Sequence, residues 1–214
     1  MKYNIRDYLK KLWDFLWNDD SLLSWLVNIV LAFVLIKFIV YPGLGLLLST
    51  SHPVVAVVSE SMEHTGGFDD WWIKNKEWYE ENEIIKGEFE KFRFKNGFNK
   101  GDIMVLKGKN VRDIDVGETI VFQSGKPDPI IHRVVKKREE NGELFFQTKG
   151  DNNPRSLENG LIDETNIKEE QIIGTALVRI PLLGYIKIGF VEAICFDPIQ
   201  SLLKPLFKNL SCNR

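Results

Sequence analysis

From Leu22 to Tyr41 the chain is almost wholly apolar, interrupted only by Ser24, Asn28 and Lys37. About 20 such residues are enough to cross a bilayer as a helix, so the pattern predicts a membrane span. Lys37 lies near one end, where a long side chain can snorkel to the interface. The run is too long and starts too late for a cleaved leader, and no small-residue pattern closes it. A retained anchor with its linker is therefore expected over residues 21–48, and Tyr41-Pro42-Gly43 predicts a break at its far end. Upstream, Ile5, Leu9, Leu12 and Leu16 recur at helical spacing, with Trp13 and Trp17 beside them and Lys2, Arg6, Lys10 and Lys11 interleaved. That pattern predicts an amphipathic helix within residues 1–20 lying on a membrane surface; a soluble docking helix is the alternative. Basic residues precede the span and none follows it until Lys74. The positive-inside rule then places the N-terminus in the cytoplasm and the remainder outside, a single-pass arrangement in the cell membrane.

Beyond the anchor the period changes from helix to strand. Val54–Val58 reads as a short buried strand, and Asp102–Leu106, Glu118–Phe122, Ile130–Lys136, Leu144–Thr148 and Ile172–Ile180 follow after Gly97. Gly, Asn, Asp and Pro punctuate them, and Asn141-Gly142 between two strands is a hairpin signal. With no alternation of strand and helix, the expected fold is mainly β, over residues 49–186. Residues 66–97 interrupt it. There Trp71, Trp72, Trp78, Tyr79, Phe89 and Phe92 are threaded among charges at near-helical spacing, which predicts a helical insert. The tryptophans either pack that insert or form an aromatic belt at the interface. In the tail, 187–214, Ile199, Leu202, Leu203, Leu206, Phe207 and Leu210 make a stripe that predicts a surface-lying amphipathic helix; Ile180–Phe196 is only marginal as a second span.

Composition narrows the chemistry. A net charge of −2 over 214 residues gives no electrostatic case for a nucleic-acid partner. Cys195 and Cys212 form no CxxC, and His52, His64 and His132 show no metal-site spacing, so no metal site is expected.

Two serines end the Val54 run with one residue between them. On an extended chain, residues two apart face the same side, so Ser59 and Ser61 can present both hydroxyls to one volume. A polar turn capping a strand has the same pattern. A serine becomes a nucleophile only when a base takes its proton, and a neutral imidazole suits that task near pH 7. His132 lies on a predicted strand among Ile130, Ile131, Val134 and Val135, as either a satisfied core residue or a held base. Asp151, in the turn Gly150-Asp151-Asn152-Asn153, is either an Asx turn or the acid that orients such a base.

Four short motifs occur in order: Ser61-Met62 after a valine-rich strand, Lys100-Gly101-Asp102-Ile103, His132-Arg133-Val134-Val135, and Thr148-Lys149-Gly150-Asp151-Asn152-Asn153. Together, beyond an N-terminal anchor, they resemble the type I signal peptidases of the archaeal and endoplasmic-reticulum branch. The likeness runs from the anchor to about Ile186, broken by the 66–97 insert. It implies a membrane-bound serine endopeptidase with a β-rich catalytic domain, which cuts signal peptides from exported preproteins after small residues. Its partners would be preprotein signal peptides, the lipid membrane and the translocation machinery, and the resemblance implies no cofactor. By the same resemblance Ser61 is the nucleophile and His132 the general base. Ser59 supplies an oxyanion-hole hydroxyl beside the Ser61 backbone N–H, and Asp151 is the acid. Two departures stand out. His64 replaces the proline of the family's Ser-Met-x-Pro and reads as structural or rim-lining. Leu157 stands where the branch often carries a further aspartate, so either the neighbouring Glu158 substitutes or Asp151 serves alone; Asp163 is further on. The alternative is a catalytically inactive anchored β module that binds exported partners. A third reading is a peptidase of the same fold acting on other membrane-proximal precursors.

Overall fold

The computed structural model describes residues 5–185 and Gly189, and the chain divides into two compact units, Met1–Leu47 and Leu48–Arg214. The predicted C-terminal stripe and both cysteines lie outside the described residues.

In the first unit, helix α1 (Ile5–Trp17) leads into α2 (Leu22–Leu48). At 27 residues α2 is about 40 Å long, long and apolar enough to cross a membrane. Its side chains are mostly uncovered, Leu23, Phe33 and Phe38 each being more than 60% exposed. The polar interruptions of the apolar run have local work. Ser24 Oγ donates to Phe15 O and Asn28 Nδ2 to Leu16 O (2.9 Å), satisfying carbonyls at the end of α1 that have no partner within that helix. The break expected at Tyr41-Pro42-Gly43 does not occur: the helix runs on to Leu48. Pro42 has no N–H for the carbonyl of Phe38, and a π-helical segment, Ile36–Val40, widens the turn immediately before it.

The second unit is built on a seven-stranded antiparallel sheet in the order β1-β2-β9-β3-β4-β5-β8. The strands are β1 (Val54–Ala56), β2 (Ile103–Lys107), β3 (Thr119–Phe122), β4 (Ile130–Glu140), β5 (Glu143–Lys149), β8 (Ile167–Lys168) and β9 (Ile172–Ile180); β6 (Glu158–Asn159) and β7 (Ile162–Asp163) form a separate hairpin. All four residues of β3 are buried, because the sheet is covered on both faces. Ile120 and Phe122 pack with Val134, Phe146 and Ile167, while Val121 packs with Val57, Met62, Phe98, Met104 and Leu106. The β4–β5 hairpin turns at Asn141-Gly142, both at positive φ, as its sequence signal requires.

The insert folds as α3 (Phe68–Glu81) and α4 (Lys86–Phe89). Asp69 and Asp70 occupy the first turn of α3, where the helix dipole favours negative charge. Trp71, Trp72, Tyr79, Ile84 and Phe89 close a separate core with Val135 of β4. The insert's tryptophans therefore pack: Trp71 and Trp72 are buried, which rules out the interfacial belt for them. Phe89 is fully buried among the rings of Phe68, Trp71, Trp72, Tyr79, Phe92 and His64, and Phe89→Ala should cost about 3–5 kcal/mol in a urea melt.

Candidate active site

The valine-rich strand is shorter than expected. β1 ends at Ala56, and Val57 is then tied by its N–H to Asp102 O (2.9 Å) and by its carbonyl to Gly101 N–H (2.9 Å). The chain turns rather than running extended through the serines, with Glu63 N–H donating to Glu60 O (3.1 Å). Even so, Ser59 Oγ and Ser61 Oγ lie 3.0 Å apart. Met62 points into the core, 1% exposed, and anchors the turn from below. Its carbonyl accepts from Phe98 N–H (3.0 Å), and Glu63 bridges to Gly97. Gly97 has φ +65°, and a Cβ there would meet Met62 O at 2.2 Å, so the approach requires glycine.

Ser61 Oγ lies 2.8 Å from Nε2 of His132, which β4 presents from its pairing with Ile120. The other ring nitrogen, Nδ1, meets Oε1 of Glu164. Glu164 is completely buried. Its Oε1 also accepts from Thr148 Oγ1 (2.8 Å) and its Oε2 from the Leu157 N–H (2.7 Å). A carboxylate accepts only, so a neutral His132 ring would carry its proton on Nδ1 and leave Nε2 to accept from the serine hydroxyl. The serine proton is then engaged by the ring, and Ser59 donates to Ser61 Oγ.

The carboxylate on the His132 ring is thus Glu164, not Asp151 and not Glu158. Glu158 is exposed on β6. Asp151 is fully buried in a second network. Arg133 grips it with Nε to Oδ1 (2.9 Å) and Nη2 to Oδ2 (2.7 Å), Tyr79 donates to Oδ1 (3.0 Å) and His64 Nε2 to Oδ2 (2.9 Å). Burial pushes the Asp151 carboxyl up, but Arg133 and His64 outweigh it and hold it well below the usual carboxylate range. The two networks diverge because His132 and Arg133 are consecutive on a strand and face opposite ways. The turn carrying Asp151 nevertheless touches the serine: Asn152 N–H donates to Ser61 O (2.7 Å), and a Cβ on Gly150 would meet His132 Nε2 at 2.8 Å.

No family model matches the chain. The signal peptidase complex catalytic subunit SEC11 of Colletotrichum graminicola is 30% identical over 178 residues, covering 82% of this chain and 84% of the relative. The SEC11 subunit of Komagataella phaffii is 28% identical over 72% of this chain and 76% of its own, and dog SEC11C is 29% identical over 74% and 69%. The chain belongs to the SEC11 family of signal peptidase catalytic subunits. These relatives are fungal and canine, so they speak for the eukaryotic side of the branch and not for its archaeal side.

The acid that the motif resemblance leads one to expect at Leu157 has a structural counterpart. In the β6–β7 hairpin Glu158 pairs with Asp163 and Asn159 with Ile162. One step further along the same register, Leu157 faces Glu164, whose N–H donates to Leu157 O (2.8 Å). The carboxylate arrives from the cross-strand partner of the expected position. Sequence spacing carries no signal for this, since Glu164 is one of several acids between Glu158 and Glu170.

Two predictions arise here. Gly150→Ala should lower the cleavage rate about 10–100-fold, because the new methyl displaces His132 or the Ser61 carbonyl at the ~1–3 kcal/mol cost of overpacking; steady-state kinetics of the variant check it. Lys149 is buried beneath the site, where its amine donates to Gly150 O and Asp151 O (3.2 Å each). Burial lowers it from 10.5 to about 8, with Asp151 and Glu164 only partly opposing. Across that window the unfolded chain holds a proton that the folded chain has released, so stability should rise with pH above about 8. Tyr79, raised by burial and by Asp151, reverses the trend where the unfolded phenol ionises, above about pH 10. Urea midpoints measured between about pH 8 and pH 10 should climb in the wild type and stay flat in Lys149→Met.

Proposed function

We propose that this chain is a membrane-anchored serine endopeptidase that cuts signal peptides from exported preproteins after small residues. The observation that carries the reading is the hydrogen-bonded line Ser61–His132–Glu164 in a chain of the SEC11 family. Attack by Ser61 Oγ on the scissile carbonyl passes the serine proton to His132 Nε2. Glu164 steadies the resulting imidazolium and fixes its tautomer. The tetrahedral oxyanion is received by the Ser59 hydroxyl and the Ser61 backbone N–H. The C–N bond then breaks as His132 gives its proton to the leaving amine, leaving an acyl-serine. A water deprotonated by the same imidazole hydrolyses that ester and releases the signal peptide. The buried carboxylate on the His132 ring supports this reading over the inactive module, which drew on the acid missing at Leu157.

β1 is the terminal strand of the sheet and leads directly to Ser61. An extended substrate adding to that edge would be held by backbone hydrogen bonds, with its residues one and three before the cut on one side. The span α2 holds this chemistry at the membrane, with the N-terminus cytoplasmic by the positive-inside rule and residues 49–186 outside. The relatives named above are subunits of a complex, and partner subunits and the translocation machinery are the natural neighbours of such a site.

The full chain, purified in detergent, should cleave a preprotein bearing alanine before the cut. Leucine at that position should slow cleavage about 10–100-fold, by overpacking a pocket shaped for a methyl group. Because the base must be an unprotonated imidazole, the rate should also fall on acidification. Equal cleavage of the alanine and leucine substrates, or a rate that ignores acid, would contradict the proposal.

A further inference from the structure

His64 follows the nucleophile by three residues, at the position where the family pattern has proline. Its side chain has no exposed surface, and it is flat against the indole of Trp71, with ring centroids 3.8 Å apart and planes 3° from parallel. Nε2 donates to Asp151 Oδ2 (2.9 Å), while Nδ1 is buried with no hydrogen-bond partner among the described residues. The ring's one polar attachment is therefore Asp151. Asp151 is in turn gripped by Arg133, the residue next to His132 on β4. A strut thus runs from the loop of Ser61 through His64, Asp151 and Arg133 to the strand of His132, alongside the Ser61–His132 hydrogen bond. The insert adds two supports of Asp151, beside those from Lys149 and Met62: Trp71 Nε1 donates to its carbonyl (3.1 Å) and Tyr79 to its carboxylate.

Proline would stiffen the nucleophile loop through its own ring. Histidine cannot, and its backbone is freer. We propose that His64 is a positioning residue that replaces this stiffening with a side-chain tether, setting the approach of Ser61 Oγ to His132 Nε2 while Trp71 of the insert holds the imidazole in plane. The inference rests on the peptidase reading of the site. It makes the 66–97 insert, which interrupts the family match, a support of the reacting serine and not only an appended core. A tether of this kind acts on the chemical step and leaves substrate capture at the β1 edge untouched, so its loss should appear in kcat and not in KM.

The test uses the full chain in detergent and compares three variants at equal folded fraction. His64→Phe keeps the stacking on Trp71 and removes the donor. His64→Gln restores an N–H at the reach of Nε2. His64→Asn is polar but too short to reach Asp151. Phe and Asn should lower kcat about tenfold or more, the effect of losing a hydrogen bond to a charged group, with KM unchanged. Gln should recover kcat to within about threefold of wild type, the distance-matched donor restoring the same bond. Should His64→Phe not fold, the Asn and Gln pair carries the same comparison. Wild-type kcat in Phe or Asn, a change confined to KM, or Gln no better than Asn would overturn the tether. Wild-type protein that cleaves no preprotein would instead sink the peptidase reading, so the two failures are distinguishable.

Discussion

Ser61→Ala is expected to abolish cleavage, with a loss on the order of 10⁴–10⁶ in kcat, and His132→Ala to cost about as much. In the proposed mechanism the two groups act as one unit. The serine hydroxyl is 2.8 Å from Nε2, and neither the proton transfer nor the covalent step survives removal of either partner. The double variant should therefore be no worse than each single one, a non-additivity that independent binding contacts do not show. Ser59→Ala should be milder, about 10²–10³, as for one donor of an oxyanion hole. Steady-state kinetics on a single preprotein would order the four enzymes.

The second large effect separates two carboxylates that the motifs alone do not tell apart. Glu164→Gln should cost about 10⁴ in rate while the fold persists, because an amide can offer the ring an N–H and invite the wrong tautomer. With the amide nitrogen toward the ring, the Leu157 N–H keeps the one oxygen and the Thr148 hydroxyl turns to accept from the amide. Asp151→Ala should fail differently. It leaves the fully buried Arg133 without a counter-charge, and breaking such a pair by removing one partner costs about 3–5 kcal/mol. Against a typical stability of about 5–15 kcal/mol that is a large fraction, and a urea melt should show it before any assay does. An enzyme folded like wild type but inert at Glu164→Gln, beside a destabilised Asp151→Ala, is the expected pair of results.

Much of this was legible in the chain. The period-2 runs placed the main strands of the sheet to within a few residues, since half-buried strands must alternate or stay apolar. The near-helical mixture of aromatics and charges announced α3. Pro42 misled because a long apolar helix absorbs a proline by widening one turn. Ser61 and His132, which the structure brings within hydrogen-bond distance, each stand in a short contiguous motif, so sequence could single them out. Glu164 was not readable, because its place depends on the register of a two-residue hairpin and not on spacing from any motif. Arg133 and Tyr79 were hidden for a related reason: a buried guanidinium is stable only where a distant carboxylate and carbonyls receive it. Their burial makes Asp151 a hub of the fold, although in sequence it occupies the more familiar acid position.

The most direct test of the account is to identify the bond that is cut. An exported preprotein is incubated with the full chain and with Ser61→Ala, and the product is sequenced from its N-terminus. Wild type should yield one new N-terminus immediately after the small residue that ends the signal peptide, and Ser61→Ala should leave the preprotein intact. The same new N-terminus from Ser61→Ala at wild-type rate would contradict the assignment of this site.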